Sequence, residues 1–167
     1  MRYIGLLVVA AGLVAAMSSA VLAQEFAVGG QAGYVFGGQG LFMYGVTGEA
    51  SITGPFSVRA AFLFGSLRDP YSGFSVRMRW ISGAGLYNVA VAEAEPYFGT
   101  GVGELSVSAY GISVGITVLD FIGGARFAMS ETSNLFVEGH YMLPMGLPSG
   151  VQASGNFALT GGLLYSF

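Results

Sequence analysis

Hydrophobic and polar residues alternate along the last stretch of the chain. Between positions 151 and 167 every odd position is apolar, aromatic or glycine, whereas most even positions are polar. Successive side chains of a β-strand point to opposite faces, so the pattern predicts a strand with one apolar and one polar face. Its apolar face ends at the last residue of the sequence, with Leu163, Tyr165 and Phe167.

The same alternation recurs upstream. Clusters of Gly, Asn, Ser and Pro separate segments that suit strands of roughly 10 to 14 residues. The eight predicted strands are 25–36, 41–52, 56–64, 74–86, 96–109, 113–129, 135–145 and 151–167. The glycines at 99, 101 and 103 fall on one face of the fifth strand, and the pattern leaves open which face that is.

The composition adds that the chain is too apolar for an ordinary soluble domain. Hydrophobic residues make up 53% of the sequence and charged residues 9%, whereas about a quarter of the residues of a typical soluble domain are charged. Residues 24–167 nevertheless contain no apolar run long enough for a transmembrane helix. Strands can cross a bilayer only in a closed barrel, which leaves no backbone edge unpaired. The predicted fold is therefore an all-β, eight-stranded antiparallel up-and-down transmembrane β-barrel.

The first 23 residues differ from the rest and predict a helical signal peptide. Arg2 provides a positive start, residues 4–16 form an uncharged apolar core, and small residues stand at Val21 and Ala23. An apolar core of this length is typical of a secretory signal. We expect cleavage before Gln24, which leaves residues 24–167 as the barrel. The absence of cysteine is compatible with export.

Most charged residues lie on the polar face of the predicted strands. An arginine facing the middle of a bilayer costs about 2–4 kcal/mol, so these residues are expected to face the lumen and to pair there. Their signs nearly balance, which favours a plugged lumen over an ion-selective pore, with a narrow porin-like channel as the alternative. The predicted lumen charge network comprises Glu49, Arg59, Arg77, Arg79, Asp120, Arg126, Glu138 and His140.

Three features carry a resemblance to a known family: the signal peptide, the final strand ending on Phe167, and the run Pro96-Tyr97-Phe98-Gly99-Thr100-Gly101-Val102-Gly103. The run resembles the Pro-Tyr-x-Gly-x-Gly-x-Gly segments of OmpA-like and OmpX-like outer-membrane barrels. The resemblance implies a monomer in the bacterial outer membrane, in contact with lipid or lipopolysaccharide. It also implies delivery by periplasmic chaperones, and recognition of Leu163, Tyr165 and Phe167 as an insertion signal by the barrel-assembly machinery.

An enzymatic role is a further alternative, because some eight-stranded outer-membrane barrels hydrolyse lipid A. The deacylases among them use a His-x-Ser motif, but here the residue two positions after His140 is Met142. A serine from another strand, such as Ser154, could replace the missing nucleophile, since a catalytic triad is defined by geometry. We expect no enzyme activity, cofactor or metal. The net charge of −3 and the lack of a basic cluster argue against nucleic acid as a partner.

Overall fold

The structure is a computed structural model, and it describes residues 25–36, 40–68, 75–91, 94–146 and 154–167. The predicted signal peptide and residues 151–153 of the predicted final strand lie outside these ranges. Within them, no helix is long and apolar enough to cross a membrane. The strands are β1 (Glu25–Phe36), β2 (Leu41–Thr53), β3 (Phe56–Arg68), β4 (Ser75–Asn88), β5 (Glu95–Ala109), β6 (Ile112–Ala128), β7 (Ser133–Met145) and β8 (Asn156–Ser166).

The strands form a closed barrel. Each strand pairs antiparallel with the next along the chain, and β8 pairs with β1. The backbone amide of Phe167 donates a hydrogen bond of 2.9 Å to the carbonyl of Phe26, so the pairing extends to the last residue. The predicted closed, eight-stranded antiparallel fold is therefore confirmed, and the bounds of β1 are those predicted from the sequence.

The two ends of the barrel differ in what they carry. The terminal end contains Glu25, Phe167 and the connections that follow β2, β4 and β6. The loop end contains the connections that follow β1, β3, β5 and β7. The connection from β5 to β6 is a two-residue turn in which Tyr110 and Gly111 both have positive φ, 52° and 76°. Such turns match the right-handed twist of the strands they join.

Most of the outer wall is apolar, and aromatic rings cluster near both ends. At the terminal end Phe56 and Phe98 each contact Tyr87, with ring centroids 5.3 Å apart, and Tyr165 contacts Phe167 at the same separation. At the loop end the ring pairs are Tyr34 with Phe36, Phe36 with Phe157, and Tyr44 with Phe64. Aromatic bands flanking an apolar belt are typical of membrane-spanning barrels.

The lumen is filled by two layers of different chemistry. The half nearer the terminal end contains the charged residues described below and a smaller apolar cluster of Leu86, Tyr97 and Ile122. The half nearer the loop end contains an apolar layer that the sequence analysis did not predict. Leu63 and Trp80, its largest cross-strand pair, are 0% and 1% exposed. The buried residues of the apolar layer are Val35, Leu41, Met43, Leu63, Trp80, Leu105, Val118, Met142 and Ala158.

The faces of β4 are the reverse of those predicted. Met78 and Trp80 point into the lumen, where they pack in the apolar layer. Arg77 and Arg79 therefore point to the outer wall, and Arg79 lies opposite the exposed Phe64 of β3. The prediction placed apolar residues outside and charges inside. It is wrong for this half of β4 because here the lumen is apolar and the outer wall is polar.

The face of β5 that the sequence left open is settled by Tyr97. Its side chain is 2% exposed and lies in the lumen, so Gly99, Gly101 and Gly103 also face inward. A Cβ atom on Gly103 would lie 2.7 Å from the carbonyl oxygen of Ile81 and 3.2 Å from Nε1 of Trp80. The glycines leave room for the large side chains of neighbouring strands, which a small barrel needs to fill its interior.

Candidate functional site

Arg59 is the centre of the charged layer. Its guanidinium donates to Oε2 of Glu49 from Nε at 3.0 Å and from Nη2 at 2.6 Å. Its Nη1 donates to Glu138 and, at 3.3 Å, to the hydroxyl of Tyr97. The guanidinium carbon also lies 4.9 Å from the ring centroids of Tyr97 and Phe136. Each face and edge of this buried cation therefore has a partner, as burial of a charge requires.

Arg126 extends the network towards the terminal end. It donates to Oε1 of Glu49 at 2.5 Å and to Oε2 of Glu95 at 2.8 Å. Glu49 is thus shared by two arginines, whereas the side chain of Glu95 is 39% exposed and marks the outer limit of the network. Glu95 was not among the predicted network residues because it precedes the predicted start of the fifth strand by one residue. The pairing register, which places it opposite Arg126, is not visible in the sequence.

His140 links the network to the middle of the barrel. Its Nδ1 lies 2.9 Å from Oδ2 of Asp120, and its Nε2 lies 3.1 Å from Oε1 of Glu138. Carboxylates only accept hydrogen bonds, so an imidazolium that donates from both nitrogens satisfies both partners. The indole of Trp80 contacts the imidazole edge-on, with centroids 4.8 Å apart. This contact joins the charged layer to the apolar layer.

One group of lumen side chains is arranged in space like the acid, base and hydroxyl nucleophile of a catalytic triad. These are Asp120, His140 and Thr160. The hydroxyl of Thr160 lies 3.3 Å from Nε2 of His140, and it donates to Glu138 at 3.1 Å. All three residues are at most 4% exposed. Ser154 was the serine considered for this hydroxyl from the sequence, but it is exposed and precedes β8. The buried hydroxyl is engaged by a carboxylate, which suits an internal hydrogen-bond network better than attack on a lipid substrate.

The network connects six of the eight strands. Its members lie on β2, β3, β5, β6, β7 and β8, so charge pairing and the backbone ladders hold the same cylinder closed. Of the eight residues predicted for it, six lie in this lumen cluster: Glu49, Arg59, Asp120, Arg126, Glu138 and His140. In the part of the chain that the structure describes, no group of three or more His, Asp or Glu residues could hold a metal ion.

The other two predicted members, Arg77 and Arg79, do not belong to the lumen network. On the outer wall, Arg79 donates to the hydroxyl of Ser106 at 3.3 Å and lies 3.7 Å from Oε1 of Glu104. The Arg79 side chain is 53% exposed. The predicted insertion-signal residues Leu163, Tyr165 and Phe167 are also on the outside, and they are 52%, 51% and 80% exposed.

No protein-family model matches the sequence, and a comparison with curated protein sequences finds no significant match. Solved structures do resemble it. The chain is similar to Neisserial surface protein A, with a TM-score of 0.66 and 12% identity over 86% of this chain and 96% of that one. It is similar to the N-terminal β-barrel domain of Pseudomonas aeruginosa OprF, with a TM-score of 0.59 and 16% identity over 84% and 97% of the two chains.

A third similar structure is the outer membrane protein OprG from Pseudomonas aeruginosa, with a TM-score of 0.60 and 13% identity over 87% of this chain and 96% of that one. At these identities the likeness concerns the fold. Strand number, antiparallel order and closure of β8 on β1 give the same architecture. By fold, the chain is a closed eight-stranded antiparallel β-barrel, the architecture to which these outer-membrane structures are similar.

Proposed function

We propose that this chain is an integral barrel of the bacterial outer membrane with a plugged lumen and a structural role in the envelope. The observation that carries the proposal is the presence of two layers of buried side chains in the lumen. An apolar layer centred on Leu63 and Trp80 lies above a charged layer centred on Arg59. An apolar outer wall with aromatic bands supports the location in a membrane. The similar structures, among them Neisserial surface protein A and the outer membrane protein OprG, support a location in the outer membrane.

The lumen chemistry argues against a channel. An ion crossing the apolar layer would lose its hydration shell among side chains such as Met43 and Met142, which are 1% and 0% exposed. Hydrophobic constrictions of this kind close pores by excluding water. In the charged layer, Arg59 and Arg126 are bound by Glu49, Glu95 and Glu138, so their charges are already compensated. An enzymatic role receives no support either, because the Thr160 hydroxyl is buried.

Planar-bilayer recording of the purified protein tests the proposal. We expect insertion without steady conductance at any salt concentration. Folding is verified in the same preparation by gel electrophoresis of heated and unheated protein. A difference in mobility between the two samples shows that the unheated protein is a folded barrel. Stable currents that rise with salt concentration would overturn the plugged barrel and favour a narrow porin-like channel.

A further inference from the structure

The outer wall of β4, β5 and β6 contains a polar region near the loop end. Arg77 of β4 lies opposite Ser108 of β5, which lies opposite Ser113 of β6. Residues opposite each other in the ladder share a face, so these side chains lie in one row on the outside. Arg79 and Ser106 form the adjacent row. We call these five residues, together with Glu104, the outer-wall arginine patch.

The patch interrupts the aromatic band of the loop end. The other five strands carry exposed aromatic rings on the outer wall towards the loop end. These rings are Tyr141 on β7, Phe157 on β8, Tyr34 and Phe36 on β1, Phe42 and Tyr44 on β2, and Phe62 and Phe64 on β3. In the two rows of the patch, the outward residues on β4, β5 and β6 are arginine, serine or glycine. The exposed ring of Phe121 on β6, opposite Tyr141, lies further towards the terminal end. One sector of the membrane interface is therefore cationic and hydrogen-bonding where the rest is aromatic.

The arginines of the patch have unused binding capacity. Among the residues that the structure describes, Arg77 makes no hydrogen bond or ion pair. Arg79 donates to Ser106 at 3.3 Å, and its separation from Glu104, 3.7 Å, is too long for a hydrogen bond. Each guanidinium has five N–H donors in a planar fork that matches the oxygens of phosphate. The two side chains could therefore bind a phosphate from one side.

The patch adjoins an apolar surface. A cleft of about 390 Å³ lies between the two arginines and the rings of Tyr44 and Phe64. These rings are 49% and 42% exposed, and their centroids are 4.2 Å apart. The cleft therefore offers cationic donors on one side and a hydrocarbon-like wall on the other. A membrane lipid with an anionic phosphate and an acyl chain has the same two-part chemistry.

We propose that the outer-wall arginine patch binds the phosphate of an anionic membrane lipid, whose acyl chain lies along Phe64 and Tyr44. This inference rests on the proposed membrane location. Arginine on the lipid side is costly at the bilayer midplane but costs little near the interfaces, where phosphates lie. Arg77 and Arg79 lie close to the loop end, where this cost is small and a charge-assisted hydrogen bond is available.

Native mass spectrometry of the full chain in detergent, with phosphatidylglycerol or phosphatidylcholine added, tests the proposal. We expect retention of phosphatidylglycerol in preference to the zwitterionic lipid. The double variant that carries both Arg77→Gln and Arg79→Gln should have a roughly tenfold lower apparent affinity for phosphatidylglycerol, since each 1.4 kcal/mol of lost interaction is a factor of ten. Glu104→Gln should raise it, because the carboxylate near Arg79 repels the phosphate. Arg79→Lys, which keeps the charge, should retain part of the affinity.

Three outcomes would overturn the inference. The first is equal retention of both lipids by the wild-type protein, and the second is unchanged retention by the double variant. The third is displacement of phosphatidylglycerol by millimolar inorganic phosphate, which would identify an anion site without a role for the acyl chain. All three differ from failure of the proposed function, because that failure appears as a protein that does not insert into bilayers or that conducts. The heated and unheated gel mobilities show that each variant is folded.

Discussion

Arg59 and Glu138 meet across the diameter of the barrel, since they belong to β3 and β7, which are opposite each other in the ring of eight strands. Glu49, on the strand next to β3, accepts two further hydrogen bonds from the same guanidinium. A single buried cation therefore connects one wall of the barrel to the other. Removal of that cation would leave two buried carboxylates facing the same space.

The first prediction follows from this arrangement. Arg59→Met should destabilise the barrel by about 3–5 kcal/mol, because breaking a buried pair leaves uncompensated charge. Urea unfolding from lipid vesicles measures the effect, and Trp80, the single tryptophan, reports it from the lumen. Arg79→Gln is the matched control. Its exposed ion pair should contribute at most about 1 kcal/mol. Equal effects of the two substitutions would contradict a structural role for the lumen network.

The second prediction concerns the apolar layer. Trp80→Ala should destabilise the barrel by about 3–5 kcal/mol through the cavity it leaves. It should not create a stable conductance, because the charged layer below still closes the lumen. Chemical unfolding followed by circular dichroism measures the first effect and bilayer recording the second. Leu159→Ala, at a position on the outer wall that is 47% exposed, is the control for loss of apolar volume. A conducting Trp80→Ala variant would show that the charged layer alone does not close the barrel.

The strands were predictable from the sequence because a membrane barrel repeats one simple pattern. Lipid outside and polar contacts inside impose a period of two, and β1 accordingly has the predicted bounds, Glu25–Phe36. The bounds of the other strands were less accurate. The predicted end of the third strand at Phe64 was early, since β3 continues to Arg68 and pairs there with Ser75. Alternation alone does not show where pairing ends, because polar residues near the rim have similar surroundings on both faces.

The faces of β4 could not be predicted from its alternation, because the same pattern fits either orientation. Trp80 and Arg79 are neighbours in the chain, and only cross-strand pairing with Leu63 and Phe64 decides which one is inside. The prediction assumed one lumen chemistry at every depth. The hydrogen-bond partners of His140 could not be predicted from the sequence either. Asp120 lies 20 residues away in the sequence, and the register that brings it within 2.9 Å of the imidazole is a property of the closed barrel.

The third prediction tests how tightly the lumen is packed. Gly124→Ala should destabilise the barrel by about 1–3 kcal/mol, as overpacked interiors do. A Cβ atom there would lie 2.6 Å from the carbonyl oxygen of Val137 and 2.8 Å from Cζ of Tyr97. Gly123→Ala is the adjacent control on the outer wall, where nothing lies within 4 Å of the added carbon. Urea unfolding should separate the two variants, and similar midpoints would show that both the backbone of β7 at Val137 and the Tyr97 ring can move aside.

The fourth prediction concerns the end of the chain. Deletion of Phe167 should reduce the amount of folded barrel in bacterial outer membranes, because its exposed ring is the proposed contact for the assembly machinery. Unassisted folding into lipid vesicles should change little, since the deletion removes one backbone hydrogen bond, to Phe26. Phe157→Ala removes a ring at the loop end and is the control. If the deletion impairs both kinds of folding equally, Phe167 contributes to stability and is not a recognition signal.

The fifth prediction separates a structural from a catalytic His140. His140→Ala removes the hydrogen-bond donor that lies between Asp120 and Glu138. The two buried carboxylates then lie near one another without a donor between them. We therefore expect a lower urea midpoint for this variant, by about 3–5 kcal/mol in unfolding free energy. Thr160→Val removes the neighbouring hydroxyl with little change in volume and should cost less, about 1–3 kcal/mol for an unsatisfied buried group.

The same variants decide the enzymatic alternative. Cells that produce the wild-type protein, His140→Ala or Thr160→Val should show the same lipid A acyl pattern in mass spectra, because the His140 and Thr160 side chains are enclosed in the lumen. Comparison at equal amounts of folded protein removes the effect of stability. A deacylated lipid A that appears with the wild type and disappears with both variants would restore the hydrolase hypothesis, since no structural role of His140 accounts for a change in a lipid outside the barrel.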